Sequence, residues 1–130
     1  MKLYGLIGEN LSHSFSATYF KEKILKEKIS DTKYLNFELG NIADFPKLIK
    51  ERNISGLNVT IPYKEEIIPF LDNLTDSAKA IGAVNTIEFR SDKMTGHNTD
   101  IIGFKKSIIP ILENRQKALI LGSGGSSKAV

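Results

Sequence analysis

The sequence predicts an α/β protein built on an open, twisted, mixed but mostly parallel sheet with helices on both faces. Three observations carry that expectation. Strand-like runs alternate with helix-like runs along the chain, the pattern of sheets covered by helices. One pair of runs, Val84–Arg90 and Met94–Asn98, is separated only by a short Ser91–Lys93 turn; such a hairpin makes the sheet mixed. The apolar runs also stop far short of the roughly 20 residues of a membrane span.

Taken in order, Leu3–Gly8 reads as a first strand, interrupted by Glu9 and Asn10 and therefore no signal peptide. Ser14 and Ser16 are placed to cap a helix over Phe15–Lys28. Tyr34–Leu39 alternates Leu35, Phe37 and Leu39 as a second strand. Asn41 can cap a helix over Ile42–Arg52, with Pro46 in its first turn. Ser55–Ile61 is a third strand in which Leu57, Val59 and Ile61 alternate. Pro62 has no N–H for a ladder and ends it. Ile67, Ile68 and Leu71 then suggest a helix over Tyr63–Leu71, cut short by Pro69. Lys64 falls in its first turn, where the helix dipole disfavours a cation. Thr75 or Asp76 caps a short helix closed by Gly82, and after the hairpin Thr99 or Asp100 caps one reaching Glu113.

Lys117–Leu121 is a β-rich apolar run ending in Gly122-Ser123-Gly124-Gly125-Ser126-Ser127-Lys128. Gly122-x-Gly124 after a strand fits a dinucleotide-binding turn, with Ser127 in the third small position. A phosphate-binding P-loop would need Gly at 127 and Ser or Thr at 129; Ser127 and Ala129 rule it out. The expectation is the first strand and glycine turn of a Rossmann domain that the chain enters but does not complete.

Polar residues gather just beyond the strand ends. Ser14 and Ser16 follow the first strand, Thr60 and Lys64 the third, and Asp100 the second arm of the hairpin. Asn85 lies after the Gly82-Ala83 bend. If those strands run the same way, hydroxyls, an amide, an ammonium and a carboxylate converge on one rim. That set suits a small polyhydroxylated anion, and the lysine and aspartate together could transfer protons. Each also has a plainer role: Ser14, Ser16 and Asp100 as helix caps, Thr60 and Asn85 as turn formers, His13 as a structural hydrogen-bonding partner.

Composition narrows the chemistry further. The chain has no cysteine, so thiolate catalysis, disulfides and cysteine zinc sites are excluded. Two histidines supply a metal site poorly, and no metal is expected. A net charge of +3 arises from scattered lysines; without a basic block, nucleic acid is not an expected partner.

In order and spacing, His13-Ser14-Phe15-Ser16, Asn58-Val59-Thr60-Ile61-Pro62-Tyr63-Lys64, Gly82-Ala83-Val84-Asn85-Thr86, Asn98-Thr99-Asp100 and the glycine turn resemble the N-terminal portion of shikimate dehydrogenases. The resemblance implies a reversible, NADPH-dependent reduction of 3-dehydroshikimate to shikimate, on the route to chorismate and aromatic amino acids, in the cytoplasm. It implies that Ser14 and Ser16 bind the substrate carboxylate, that Thr60, Asn85 and Asp100 hold ring hydroxyls, and that Lys64 and Asp100 are the catalytic pair. Gly122, Ser123, Gly124, Gly125 and Ser126 would bind NADP. Residues 1–100 would form the substrate-binding catalytic domain, and residues 101–130 a linking helix and the start of the nucleotide domain. Ala17 and Ile101 stand where the family often has proline and glycine; neither change removes a functional group. The alternatives are a quinate/shikimate dehydrogenase and, for these 130 residues alone, a non-catalytic shikimate-binding domain without dehydrogenase activity. Monomer and homodimer both stay open.

Overall fold

The computed structural model describes residues 1–130. Its strands are β1 (Lys2–Gly8), β2 (Thr32–Glu38), β3 (Gly56–Val59), β4 (Asn73–Leu74), β5 (Thr86–Arg90) and β6 (Lys93–His97). Its helices are α1 (Phe15–Lys26), α2 (Phe45–Glu51), α3 (Asp76–Ile81), α4 (Asp100–Leu112) and the single turn α5 (Gly125–Lys128). The strands form one sheet in the order β2-β1-β3-β5-β6-β4. β1 is parallel to β2 and β3, β5 is antiparallel to β3 and β6, and β4 is parallel to β6. Five strands therefore share one direction and β5 alone opposes them, so the sheet is mixed and mostly parallel as expected.

Register separates the two faces. Ile7 pairs with Val59 and Leu57 with Ile87, so these side chains share a face. Phe45 of α2, Ala78 of α3 and Ile67 pack with them in the main core. The opposite face carries Tyr34 and Asn58, and α1 covers part of it by stacking Phe20 on Tyr34, centroids 4.4 Å apart. Helices thus lie on both faces. No helix is long and apolar enough to cross a membrane.

Several local expectations hold. Thr75 accepts the Ala78 N–H at the start of α3, and Gly82 closes that helix at φ +69°. Asn41 accepts the Ala43 N–H, although the helix it begins is split into a 3-10 turn, Ile42–Asp44, followed by α2 with Pro46 in its first turn. The hairpin turn has Ser91 and Asp92 at φ +50° and +59°, the left-handed pair that matches strand twist.

Three differences matter for the site. The helix expected over Tyr63–Leu71 is replaced by successive turns ending in a 3-10 turn, Ile68–Phe70. Pro69 supplies no N–H, and the Lys64 carbonyl accepts the Val84 N–H rather than that of Ile68, which turns to Glu65. The helical ladder is broken at Lys64, so no helix dipole opposes its charge. Second, Lys117–Leu121 does not form a strand; Leu119 and Leu121 are exposed. A lone strand leaves its backbone groups unpaired, and none of the six strands pairs with it. Third, β4 was not expected: two residues pairing with β6 carry too little pattern to read.

Candidate active site

β1, β3 and β6 end at Gly8, Val59 and His97 on the same rim, because they run the same way. β5 runs against them, so Asn85, just ahead of it, lies on that rim too. The condition for convergence is met. The residues gather in two groups.

The first group is bonded together. Lys64 Nζ donates to Asp100 Oδ2 at 2.6 Å, and Asn85 Nδ2 donates to Asp100 Oδ1 at 2.8 Å. Asn85 is locked from its other end: its Oδ1 accepts the Thr99 N–H at 2.9 Å and the Thr86 hydroxyl at 3.1 Å. Of the two amide atoms only the oxygen can accept the Thr99 N–H, so the amide nitrogen must face the carboxylate. Asp100 opens α4 without capping it. Its own N–H goes to Asn98 Oδ1 at 3.0 Å, and Asn98, 2% exposed, also holds the Ala83 carbonyl. With Asn98 doing that work, the Asp100 carboxylate is free for Lys64. The Lys64 side chain is 13% exposed and that of Asp100 35%, so the pair sits at the edge of solvent.

The second group lines a cleft of about 560 Å³: Ser14, Ser16 and Thr60, with Glu9, His13 and Pro62 at its walls. Ser14 begins α1 but makes no capping hydrogen bond, and its Oγ is buried without a partner. A buried unpaired hydroxyl costs about 1–3 kcal/mol, which a ligand oxygen in the cleft would relieve. The expected structural hydrogen bond of His13 is not made; the residue is exposed on the cleft wall.

Side chains that the sequence did not single out join the groups. Tyr34 donates to Asn58 Oδ1 at 2.9 Å, and Asn58 Nδ2 reaches the Asn85 carbonyl at 3.4 Å and Thr86 Oγ1 at 3.3 Å. Burial pushes the Tyr34 phenol up to about 12, while a hydrogen bond with Ser16 acts in the other direction. A polar chain thus runs from Tyr34 through Asn58 and Asn85 to Asp100. Asn58 was readable: it is the polar residue inside an otherwise apolar strand.

The glycine turn lies against Lys64. Ser126 Oγ is 3.2 Å from Lys64 Nζ. Gly122 adopts φ +128°, which side chains rarely tolerate, and a Cβ there would fall 2.8 Å from Ser127 Oγ. These positions fit a turn whose backbone meets a phosphate closely. No cluster of three or more His, Cys, Asp or Glu side chains is arranged for a metal ion.

Residues 6–87 match the family model described as shikimate dehydrogenase substrate binding domain. The chain belongs to the shikimate dehydrogenase family. A shikimate dehydrogenase (NADP(+)) of Aquifex aeolicus is 44% identical over 99% of the chain and 49% of its own length. Among solved structures, shikimate dehydrogenase 1 of Peptoclostridium difficile superposes with TM-score 0.90 at 42% identity, over 99% of this chain and 50% of that one. A Thermus thermophilus shikimate 5-dehydrogenase in complex with shikimate gives 0.88 at 30% identity, over 100% of this chain and 51% of that one. The chain spans about half the length of the curated family members it matches.

Proposed function

We propose that this chain carries the substrate-binding and catalytic part of an NADP-dependent, cytoplasmic shikimate dehydrogenase. The observation that carries the reading is the Lys64–Asp100–Asn85 cluster, 2.6 and 2.8 Å between partners, on the same rim as the unpartnered Ser14 hydroxyl. The division proposed is a substrate-binding catalytic domain over 1–100, and a linking helix with the start of a nucleotide domain over 101–130.

Shikimate is a ring carboxylate with three hydroxyls. Ser14 and Ser16 offer hydroxyl donors to the carboxylate from the cleft wall. Thr60, Asn85 and Asp100 meet ring hydroxyls. Gly122, Ser123, Gly124, Gly125 and Ser126 would hold NADP, which would supply the hydride acceptor in the oxidative direction and, reduced, the hydride donor in the other. The proton of the same hydroxyl must move as the hydride does. In the oxidative direction it passes to the Lys64/Asp100 pair, and in the reductive direction Lys64 returns it to the forming alkoxide. A positive charge at that oxygen also stabilises the alkoxide before the proton arrives. Asp100 keeps the ammonium in place, and Asn85, held by Thr86 and Thr99, keeps Asp100 in place. All of these groups come from one chain, so the reading requires no second copy.

The test uses residues 1–130 joined to the second half of the Aquifex aeolicus relative, with NADP and either shikimate or quinate. Faster turnover of shikimate is the expected result. Preference for quinate would replace this reading with the quinate/shikimate alternative, and turnover of neither would overturn it.

A further inference from the structure

One set of contacts is not used by substrate binding. Lys128 Nζ lies 2.6 Å from Glu65 Oε2, a pair whose partners are 63 residues apart in sequence. Glu65 is the neighbour of Lys64, and Lys128 ends the glycine turn. Between them Ser126 Oγ meets Lys64 Nζ at 3.2 Å. A Cβ on Gly125 would fall 2.9 Å from Lys64 Cβ and 3.1 Å from Ala83 Cβ, and Ala129 is 3% exposed. The turn is therefore packed on the segment that carries Lys64, although Lys117–Leu121 just before it is unsupported by any strand.

We propose that Glu65 and Lys128 are positioning residues that latch the glycine turn onto Lys64. The latch brings whatever the turn binds up to the Lys64/Asp100 pair in one register. This rests on the proposed roles of the turn and of Lys64. The division of labour follows from the contacts. Exposed ion pairs contribute little on their own, and both partners here are about 40% exposed. The close fit at Gly125 and the burial of Ala129 hold the turn down, while the ion pair fixes where along the segment it sits. The result at Lys64 is specific. An ammonium has three N–H donors; Asp100 takes one and Ser126 a second, leaving a single N–H for a substrate oxygen. Losing the latch would let Ser126 slip along the segment away from Lys64 and let the ammonium swing.

The experiment is NMR on the 130-residue chain, comparing wild type with Glu65→Gln, Lys128→Met, Lys128→Arg and Gly125→Ala. Its readouts are the amide shifts and heteronuclear NOEs of residues 122–128, the Lys64 ammonium resonance, and the amide response of Ser14 and Ser16 to added shikimate. Glu65→Gln and Lys128→Met are each expected to move the Ser126 amide and the Lys64 ammonium, with the turn held down by Gly125 and Ala129 but shifted along the segment. Lys128→Arg is expected to retain the wild-type values. Gly125→Ala is expected to lift the turn by crowding Lys64 and Ala83. The shikimate response should survive in Glu65→Gln, Lys128→Met and Lys128→Arg, which also shows that each is folded. An unmoved Lys64 ammonium and an unmoved Ser126 amide in both Glu65→Gln and Lys128→Met would overturn the latch. A wild-type chain blind to shikimate would overturn the substrate reading instead, with the turn still reporting on the latch.

Discussion

Replacing Lys64 by methionine is expected to lower shikimate turnover by about 10²–10⁴-fold, the usual worth of a positioned proton-transfer group. The setting is the protein joined to a relative's second half. Methionine keeps the length and bulk of the side chain and removes the charge and all three donors. The Asp100 carboxylate stays anchored by Asn85 but no longer has a cation to orient. The forming alkoxide loses both its proton source and its nearest positive charge, so the loss should fall on kcat far more than on KM. A structural lysine predicts the reverse pattern. Lys64 and Asp100 sit at the edge of solvent, with 13% and 35% of their side chains exposed, so water can satisfy Asp100 once the lysine is gone. The thermal midpoint is therefore expected to move little. Steady-state kinetics with a melting curve on the same sample checks both; retained kcat with a lowered midpoint would assign Lys64 to the fold.

The largest expected effect on stability is at Phe45. Its side chain is 1% exposed, sits among the main core residues and meets Phe70 edge-on with ring centroids 6.0 Å apart. Truncation to alanine removes the ring and leaves a cavity in the main core that rigid neighbours fill only in part. The expected cost is about 3–5 kcal/mol, against the 5–15 kcal/mol, roughly, that holds an ordinary domain folded. Urea unfolding of the 130-residue chain should show a much lower midpoint with the slope nearly unchanged. A loss below about 1 kcal/mol, small for a core position of this kind, would mean that the core closes over the gap.

Much of this was legible because the local signals were strong. Alternating apolar residues gave β2 and β3, although Ile61 falls beyond β3 and is exposed; Gly82 gave the end of α3, and the Ser91–Lys93 turn gave the hairpin and hence the one opposing strand. The rim residues followed from strand direction. What the residues alone left open was function against capping. Ser14 and Asp100 are good caps by type; only the bonds show that Ser14 caps nothing and that Asn98 takes the Asp100 N–H. The helix misread at Tyr63–Leu71 had helical spacing of its isoleucines, but a tertiary bond from Val84 to the Lys64 carbonyl defeats the ladder. Lys117–Leu121 had the composition of a strand and no partner to pair with. Tyr34, Thr86 and Thr99 were passed over because their role exists only across strands and loops: β2, β3, the start of β5 and the start of α4 must be side by side before a phenol and two threonines become a brace for Asn58 and Asn85.

The most direct test of the central claim is an amide-shift titration of the 130-residue chain with shikimate. Shifts clustering at Ser14, Ser16, Thr60, Lys64, Asn85 and Asp100, and weakened in a Ser14→Ala variant, are the predicted result. A folded chain whose spectrum stays unmoved at millimolar shikimate, or whose shifts gather away from that rim, would contradict it.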